Sequence, residues 1–161
     1  MKFRIGMGYD VHQFAENRDC IIGGIKFDHD KGLLGHSDAD VLLHAVCDAL
    51  LGAVNLGDLG DHFPDTDPQF KNIDSKILLK SCYQKVRDKG YVLNNLDTII
   101  VCERPKIKPR REDIQNMLAN LLNAPLDAIS VKATTEEKLG FTGRGEGIKA
   151  WAYVSLISSE G

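Results

Sequence analysis

The chain has 161 residues, 43% of them hydrophobic, and a formal charge of −3. That length and apolar content predict one domain over residues 1–161 with a sizeable core. The mild acidity argues against a nucleic-acid binder, whose footprint is normally basic, and no run of about 18 apolar residues offers a membrane span.

The amino terminus, Met1 to Gly6, lacks the apolar segment and small-residue cleavage site of a signal peptide. Cys20, Cys47, Cys82 and Cys102 contain no C-x-x-C, which fits reduced thiols in a reducing compartment, so the expected location is cytoplasmic. Residues 2–14 set Phe3, Ile5, Met7, Tyr9 and Val11 against Arg4, Gly6, Gly8, Asp10 and His12, the period of a strand. Asp10 and His12 then leave one face, and Gly6 and Gly8 leave room on that face for a close approach. Cys20 to Phe27, broken by Gly23-Gly24, predicts a hairpin. His29 is read as a surface residue with no assigned task.

The stretch Gly35-His36-Ser37-Asp38-Ala39-Asp40-Val41-Leu42-Leu43-His44 reads as a loop entering a helix over 38–54, with Ser37 capping and Asp40 closing a capping box. Asp40, His44 and Asp48 share one face of it, opposite an apolar side of Val41, Leu42, Ala45, Cys47 and Leu50. Asn55 to Pro68 is aperiodic and rich in Gly, Asp and Pro, a loop long enough to point to function. A second helix opens at Asp74-Ser75 and stops at Gly90, burying Ile77, Leu78, Cys82 and Val86.

Leu96 to Cys102 predicts a central strand, followed by a loop with five basic residues in Glu103 to Arg111 that suits a solvated turn or the lining of an anionic pocket. A third helix over about 111–122, a strand over 129–135 and a closing strand over 148–158 complete the pattern. The Gly-rich turn from Glu136 to Gly147, with nearby Thr hydroxyls and Arg144, would serve as a connector or as a phosphate cradle, but it is not a P-loop.

Asp10, His12 and His44 would supply one oxygen and two nitrogens, the ligand count of a working Zn²⁺ site with an open position. Satisfied polar groups without a metal are the competing reading. Asp40 and Asp48, one turn either side of His44, are expected to orient its ring.

With Gly8-Tyr9-Asp10-Val11-His12, Gly35 to Asp40, Leu43-His44-Ala45, Gly57-Asp58-Leu59-Gly60, Phe63-Pro64-Asp65-Thr66-Asp67 and the run from Lys132 to Arg144, the chain resembles the 2-C-methyl-D-erythritol 2,4-cyclodiphosphate synthase family over nearly its whole length. Three positions depart from the family's usual residues: Met7 for His, Tyr9 for Phe, and Trp151 for Glu. Tyr9 and Trp151 fall where some members enclose an isoprenoid-like ligand on the trimer axis.

The resemblance implies an α/β (α+β) fold, a mixed four-stranded sheet covered on one side by helices, assembled as a homotrimer with active sites between subunits. It implies cyclisation of 4-diphosphocytidyl-2-C-methyl-D-erythritol 2-phosphate with release of CMP, in the non-mevalonate isoprenoid pathway. Asp10, His12 and His44 would bind one Zn²⁺ per subunit, and Glu137 would help hold Mg²⁺ or Mn²⁺ on the diphosphate. His36 and Thr135 would stabilise the transition state, and Asp10, His12, His36 and Ser37 would also contact the substrate. Asp58, Leu59, Gly60, Phe63, Pro64, Asp65, Thr66 and Asp67 would hold the erythritol part. The cytidine and phosphates would be framed by Cys102, Glu103, Arg104, Pro105, Lys106, Ile107 and Lys108, with Thr134, Thr135, Glu136, Glu137, Phe141 and Arg144 from an adjoining subunit. A small-molecule substrate, no nucleic acid and no membrane are expected, in the cytoplasm or in a plastid stroma. A zinc phosphohydrolase or a non-catalytic trimeric binder are the alternatives.

Overall fold

The structure is a computed structural model that describes residues 2–159. Its frame is a sheet of four long strands: β1 (Phe3–Ala15), β5 (Tyr91–Val101), β6 (Ile129–Thr134) and β7 (Gly147–Ser158). A two-residue strand, β4 (Gly32–Leu33), extends one edge, giving the order β4-β1-β7-β5-β6. β7 pairs antiparallel with both β1 and β5, while β5 and β6 run parallel, so the sheet is mixed. That one parallel pair needs a long crossover, supplied by α4 (Arg111–Leu121). β2 (Cys20–Ile22) and β3 (Ile25–Phe27) form the expected hairpin, and Gly23 and Gly24, at φ +63° and +74°, take the left-handed pair that such a turn requires.

Helix α1 (Val41–Ala53) lies between the sheet and α3 (Ser75–Asp88). It is buried on almost every side, not on one face as its polar row implied; among its residues only Asp48 and Gly52 escape full burial. Leu42, Leu43, Leu50 and Leu51 are inaccessible to solvent, each worth about 1.5–3 kcal/mol of burial. Truncating one, as in Leu50→Ala, removes about 2–5 kcal/mol. All four cysteines are buried and free.

Several local expectations need correction. The cap of α1 is Asp40, not Ser37: Ala39 turns the chain at φ +58°, and the Asp40 carboxylate accepts the Leu43 N–H at 3.1 Å. Ile77 is 58% exposed, and Leu79 takes the buried place beside Leu78, Cys82 and Val86. β5 begins at Tyr91, five residues before the apolar run that announced it, because its first half pairs with the end of β7. The long loop contains a single-turn helix, α2 (Leu59–His62), closed by a capping box between Asp58 and Asp61.

β1 shows why the helices gather on one face. Its inward glycines, Gly6 and Gly8, lie against α1 so closely that a Cβ on Gly8 would stand 1.8 Å from the Ala45 carbonyl oxygen. Its other face carries Phe3, Ile5, Met7, Tyr9 and Val11, exposed by 42–67%. No helix among the described residues is long and apolar enough to cross a membrane.

Candidate metal centre

Past the two glycines, the inward face of β1 continues with Asp10 and His12. There α1 delivers His44. The Asp10 Oδ2 atom lies 2.9 Å from His12 Nε2 and 3.1 Å from His44 Nδ1, and the two ring nitrogens are 3.1 Å apart. His12 Nδ1 faces the Leu34 carbonyl oxygen at 2.8 Å. A carbonyl only accepts, so Nδ1 carries the hydrogen and the neutral ring turns a bare Nε2 toward Asp10 and His44. Lone pairs converge on one point, which is the donor set a divalent cation needs.

Without a cation, protons must do the same work. Burial alone would raise the Asp10 carboxyl, but hydrogen bonds and charge from His12 and His44 outweigh it and hold the group at about 2. His12 is affected in the opposite sense: burial would lower its ring, and the Asp10 carboxylate more than compensates, so it stays protonated to higher pH than an ordinary histidine.

The centre opens into a cavity of about 230 Å³ whose wall includes Gly35, His36, Ser37, Leu59, Gly60, Phe63, Asp65 and Phe70. The loop read as functional therefore meets the two histidine-bearing elements. His36 is held by its Nε2, which donates to the Asp67 carbonyl oxygen at 2.9 Å. Asp58 caps α2, while Pro64, Thr66 and Asp67 belong to the same loop but do not line the cavity.

The other predicted substrate residues lie elsewhere in this chain. Cys102 to Lys108 follow the end of β5 and Thr134 to Glu137 follow the end of β6, and none of them lines the cavity among the described residues. Nor do Phe141, in α5 (Gly140–Gly143), and Arg144 beyond it. Burial pushes the Cys102 thiol up to about 12, so it is an inert packing group in this state. Glu137 and Lys138 both take positive φ, +53° and +66°, and the Glu137 N–H reaches Thr135 Oγ1 at 3.3 Å. Lys149 of β7 steadies this turn through an ion pair of 2.7 Å with Glu136, which also accepts from Thr142. Glu136 is drawn below its ordinary value by those partners. His29 is less of a surface residue than expected, with its ring 5.2 Å from that of Phe14.

Two assignments fail. Asp40 does not orient His44; it is fully buried and accepts the N–H groups of Gly23 at 2.9 Å, Gly24 at 2.7 Å and Leu43, tying the hairpin to α1. Burial still raises it to about 6 against those three donors. Asp48 accepts the Leu59 N–H at 2.7 Å and so anchors α2. The groups that do meet the outer His44 nitrogen are Ser75 Oγ at 2.9 Å and Ser37 Oγ at 3.1 Å. Ser75 escaped notice because an Asp-Ser pair at a helix start reads only as a cap.

The family model that matches this chain, over residues 3–157, is that of the YgbB family. The chain belongs to the YgbB family. Relatives named 2-C-methyl-D-erythritol 2,4-cyclodiphosphate synthase include that of Phocaeicola vulgatus, 58% identical and covering 99% of this chain and 100% of its own. The Bacillus mycoides protein of the same name is 57% identical, covering 96% and 98%. Among solved structures, the bifunctional IspDF from Campylobacter jejuni superposes with a TM-score of 0.94 at 44% identity, over 98% of this chain. This chain spans 42% of that longer protein. A 2C-methyl-D-erythritol-2,4-cyclodiphosphate synthase in its CDP-bound form gives 0.88 at 35% identity, covering 96% of this chain and all of that one. The chain is thus a YgbB-family member with the family's mixed sheet and helical cover.

Proposed function

We propose that this chain converts 4-diphosphocytidyl-2-C-methyl-D-erythritol 2-phosphate to 2-C-methyl-D-erythritol 2,4-cyclodiphosphate and CMP, as a single cyclising domain of the cytoplasm. The observation that carries the reading is the convergence of Asp10 Oδ2, His12 Nε2 and His44 Nδ1 at the mouth of a cavity, in a chain whose relatives bear that enzyme's name. Those three residues would hold Zn²⁺, and Glu137 would share Mg²⁺ or Mn²⁺ with the diphosphate. When bound, the cations neutralise phosphate charge and polarise the phosphorus under attack.

The chain's own groups then have limited tasks. The attacking 2-phosphate and the β-phosphorus belong to one molecule, so the cavity need only fold the substrate, with effective molarities of about 10⁵ M or more available. Asp58 to Gly60 and Phe63 to Asp67 would grip the erythritol part. His36 and Thr135 would donate to oxygens as charge develops. Because the His36 Nε2 hydrogen is committed to Asp67, donation from Nδ1 would require the doubly protonated ring. No side-chain nucleophile is required.

The active assembly is a homotrimer in this reading. Residues 102–108, 134–137, 141 and 144 lie away from the cavity, which is what residues serving a neighbour's site would do. The exposed apolar row on β1, joined by Tyr153 at 50% exposure, supplies a surface for subunit contact. A monomer that turns over at nanomolar concentration in native mass spectrometry would overturn this part.

The reaction is tested by phosphorus NMR in ¹⁸O-water with the linear substrate and Mg²⁺. Cyclisation yields an unlabelled ring and unlabelled CMP. A zinc-dependent phosphohydrolase would place one label on released phosphate, and a non-catalytic binder would leave the substrate unchanged; either result refutes the proposal.

A further inference from the structure

We infer that Ser75 and Asp38 are positioning residues that set which nitrogen of His44 is bare, and so set the strength of the metal centre. The inference rests on the zinc reading above. Its logic is a count of hydrogens. Ser75 Oγ donates its one hydrogen to Asp38 Oδ1, and the Ser75 N–H donates to Asp38 Oδ2 at 3.1 Å. Asp38 Oδ1 also accepts the Asp40 N–H at 3.2 Å. With its hydrogen committed, the Ser75 hydroxyl can offer His44 Nε2 only a lone pair across 2.9 Å.

Two acceptors cannot share that gap, so Nε2 must carry the hydrogen. Ser37 Oγ, 3.1 Å from Nε2, already accepts the Ala39 N–H and can take a second share of the same hydrogen. The opposite nitrogen, Nδ1, is then bare in the neutral ring and faces Asp10 Oδ2 and His12 Nε2. Ser75 is fully buried and His44 nearly so, so water cannot substitute for the missing partner. The chain Asp38–Ser75–His44 thus does for this ligand what the Leu34 carbonyl does for His12. It also joins α3 to the centre, which neither Asp40 nor Asp48 does.

If Ser75 were only a helix-start residue, its loss would affect folding and nothing else. Two variants and one direct measurement separate the cases. Ser75→Ala removes the acceptor, and Asp38→Ala removes the oxygen that takes the Ser75 hydrogen, freeing that hydroxyl to donate to Nε2 and push the hydrogen onto Nδ1. Both should weaken Zn²⁺ binding about 10–100-fold in chelator competition, while Ser75→Thr recovers most of it. In the metal-free wild-type protein, at a pH where the ring is neutral, imidazole ¹⁵N spectra should show a protonated Nε2 and a bare Nδ1 on His44. Asp38→Ala should reverse that pattern. A bare Nε2 in the wild type overturns the inference even if Ser75→Ala fails to fold, and so does wild-type zinc affinity in a folded Ser75→Ala. Failure of the wild type to bind zinc would instead refute the zinc reading, leaving the tautomer measurable on its own.

Discussion

Gly8→Ala tests whether packing and chemistry depend on the same contact. The added Cβ would stand 1.8 Å from the Ala45 carbonyl oxygen and 2.8 Å from the Ala45 carbonyl carbon and the Ala49 nitrogen. Both sides of that clash are backbone, so no rotamer relieves it. Strand and helix must part by roughly 1 Å or more in an interior packed to crystal-like density. Overpacking of this kind costs about 1–3 kcal/mol, and a rigid site belongs at the upper end. His44 precedes Ala45, so the displacement carries Nδ1 away from Asp10 Oδ2, now 3.1 Å distant.

A shift of about 1 Å at a reacting centre can cost about 10²-fold in rate, and metal affinity should fall with it. Urea unfolding followed by Trp151 fluorescence at fixed protein concentration reads stability, and chelator competition reads zinc. Gly52→Ala is the control within the same helix: a Cβ there meets nothing within 4 Å, so it should stabilise by about 0.5–1 kcal/mol. Wild-type stability and zinc affinity in Gly8→Ala, or an equal loss in Gly52→Ala, would refute the reasoning.

His44→Ala should lose stoichiometric zinc by elemental analysis while keeping its helix by circular dichroism, since Ala is a strong helix former. Thr135→Ala should slow turnover by about 10²–10³ with zinc content unchanged, and a normal rate would remove Thr135 from the reaction. Asp40 provides a pH test: folding raises its carboxyl from an ordinary 3.8 to about 6, so its contribution to stability is full below 3.8 and is lost as pH rises toward 6. The stability difference between wild type and Asp40→Asn should therefore move against the wild type by up to about 3 kcal/mol between pH 4 and 6, and a flat difference would show that its three N–H partners have cancelled the burial.

The strands and hairpin were legible in the sequence because period-two alternation and a Gly-Gly turn are local signals. The convergence of Asp10, His12 and His44 was legible because Asp10 and His12 share a strand face and His44 opens a helix beside them. What stayed hidden is long-range. Asp40 looked like a partner for His44 through i, i+4 spacing, yet it turns away to the amides of Gly23 and Gly24, which no spacing rule brings near it. Ser75 reaches His44 only because α3 crosses α1, and a serine after aspartate carries no mark of that. The late halves of the predicted site, after β5 and β6, lie away from the cavity of their own chain, and a single sequence carries no signal for which residues a neighbouring copy would meet.

The register between β1 and α1 explains why the triad forms where it does. Gly6 meets Ala49 and Gly8 meets Ala45, so two strand residues pass for every four helix residues, in opposite directions. The two steps agree in length: about 6.6 Å along a strand and about 6 Å along a helix. One more step brings Asp10 level with the first turn of α1, near Val41. Helical side chains lean toward the N-terminus, so the residue that covers that level is not Val41 but one further along, and His44 is the polar one there. The glycines therefore do more than permit close packing. They fix the height at which the helix docks, and that height brings His44 Nδ1 to Asp10 instead of one turn above or below it. A residue with a side chain at position 6 or 8 would lift the helix and displace the ligand in one movement, which is why stability and metal affinity should fail together.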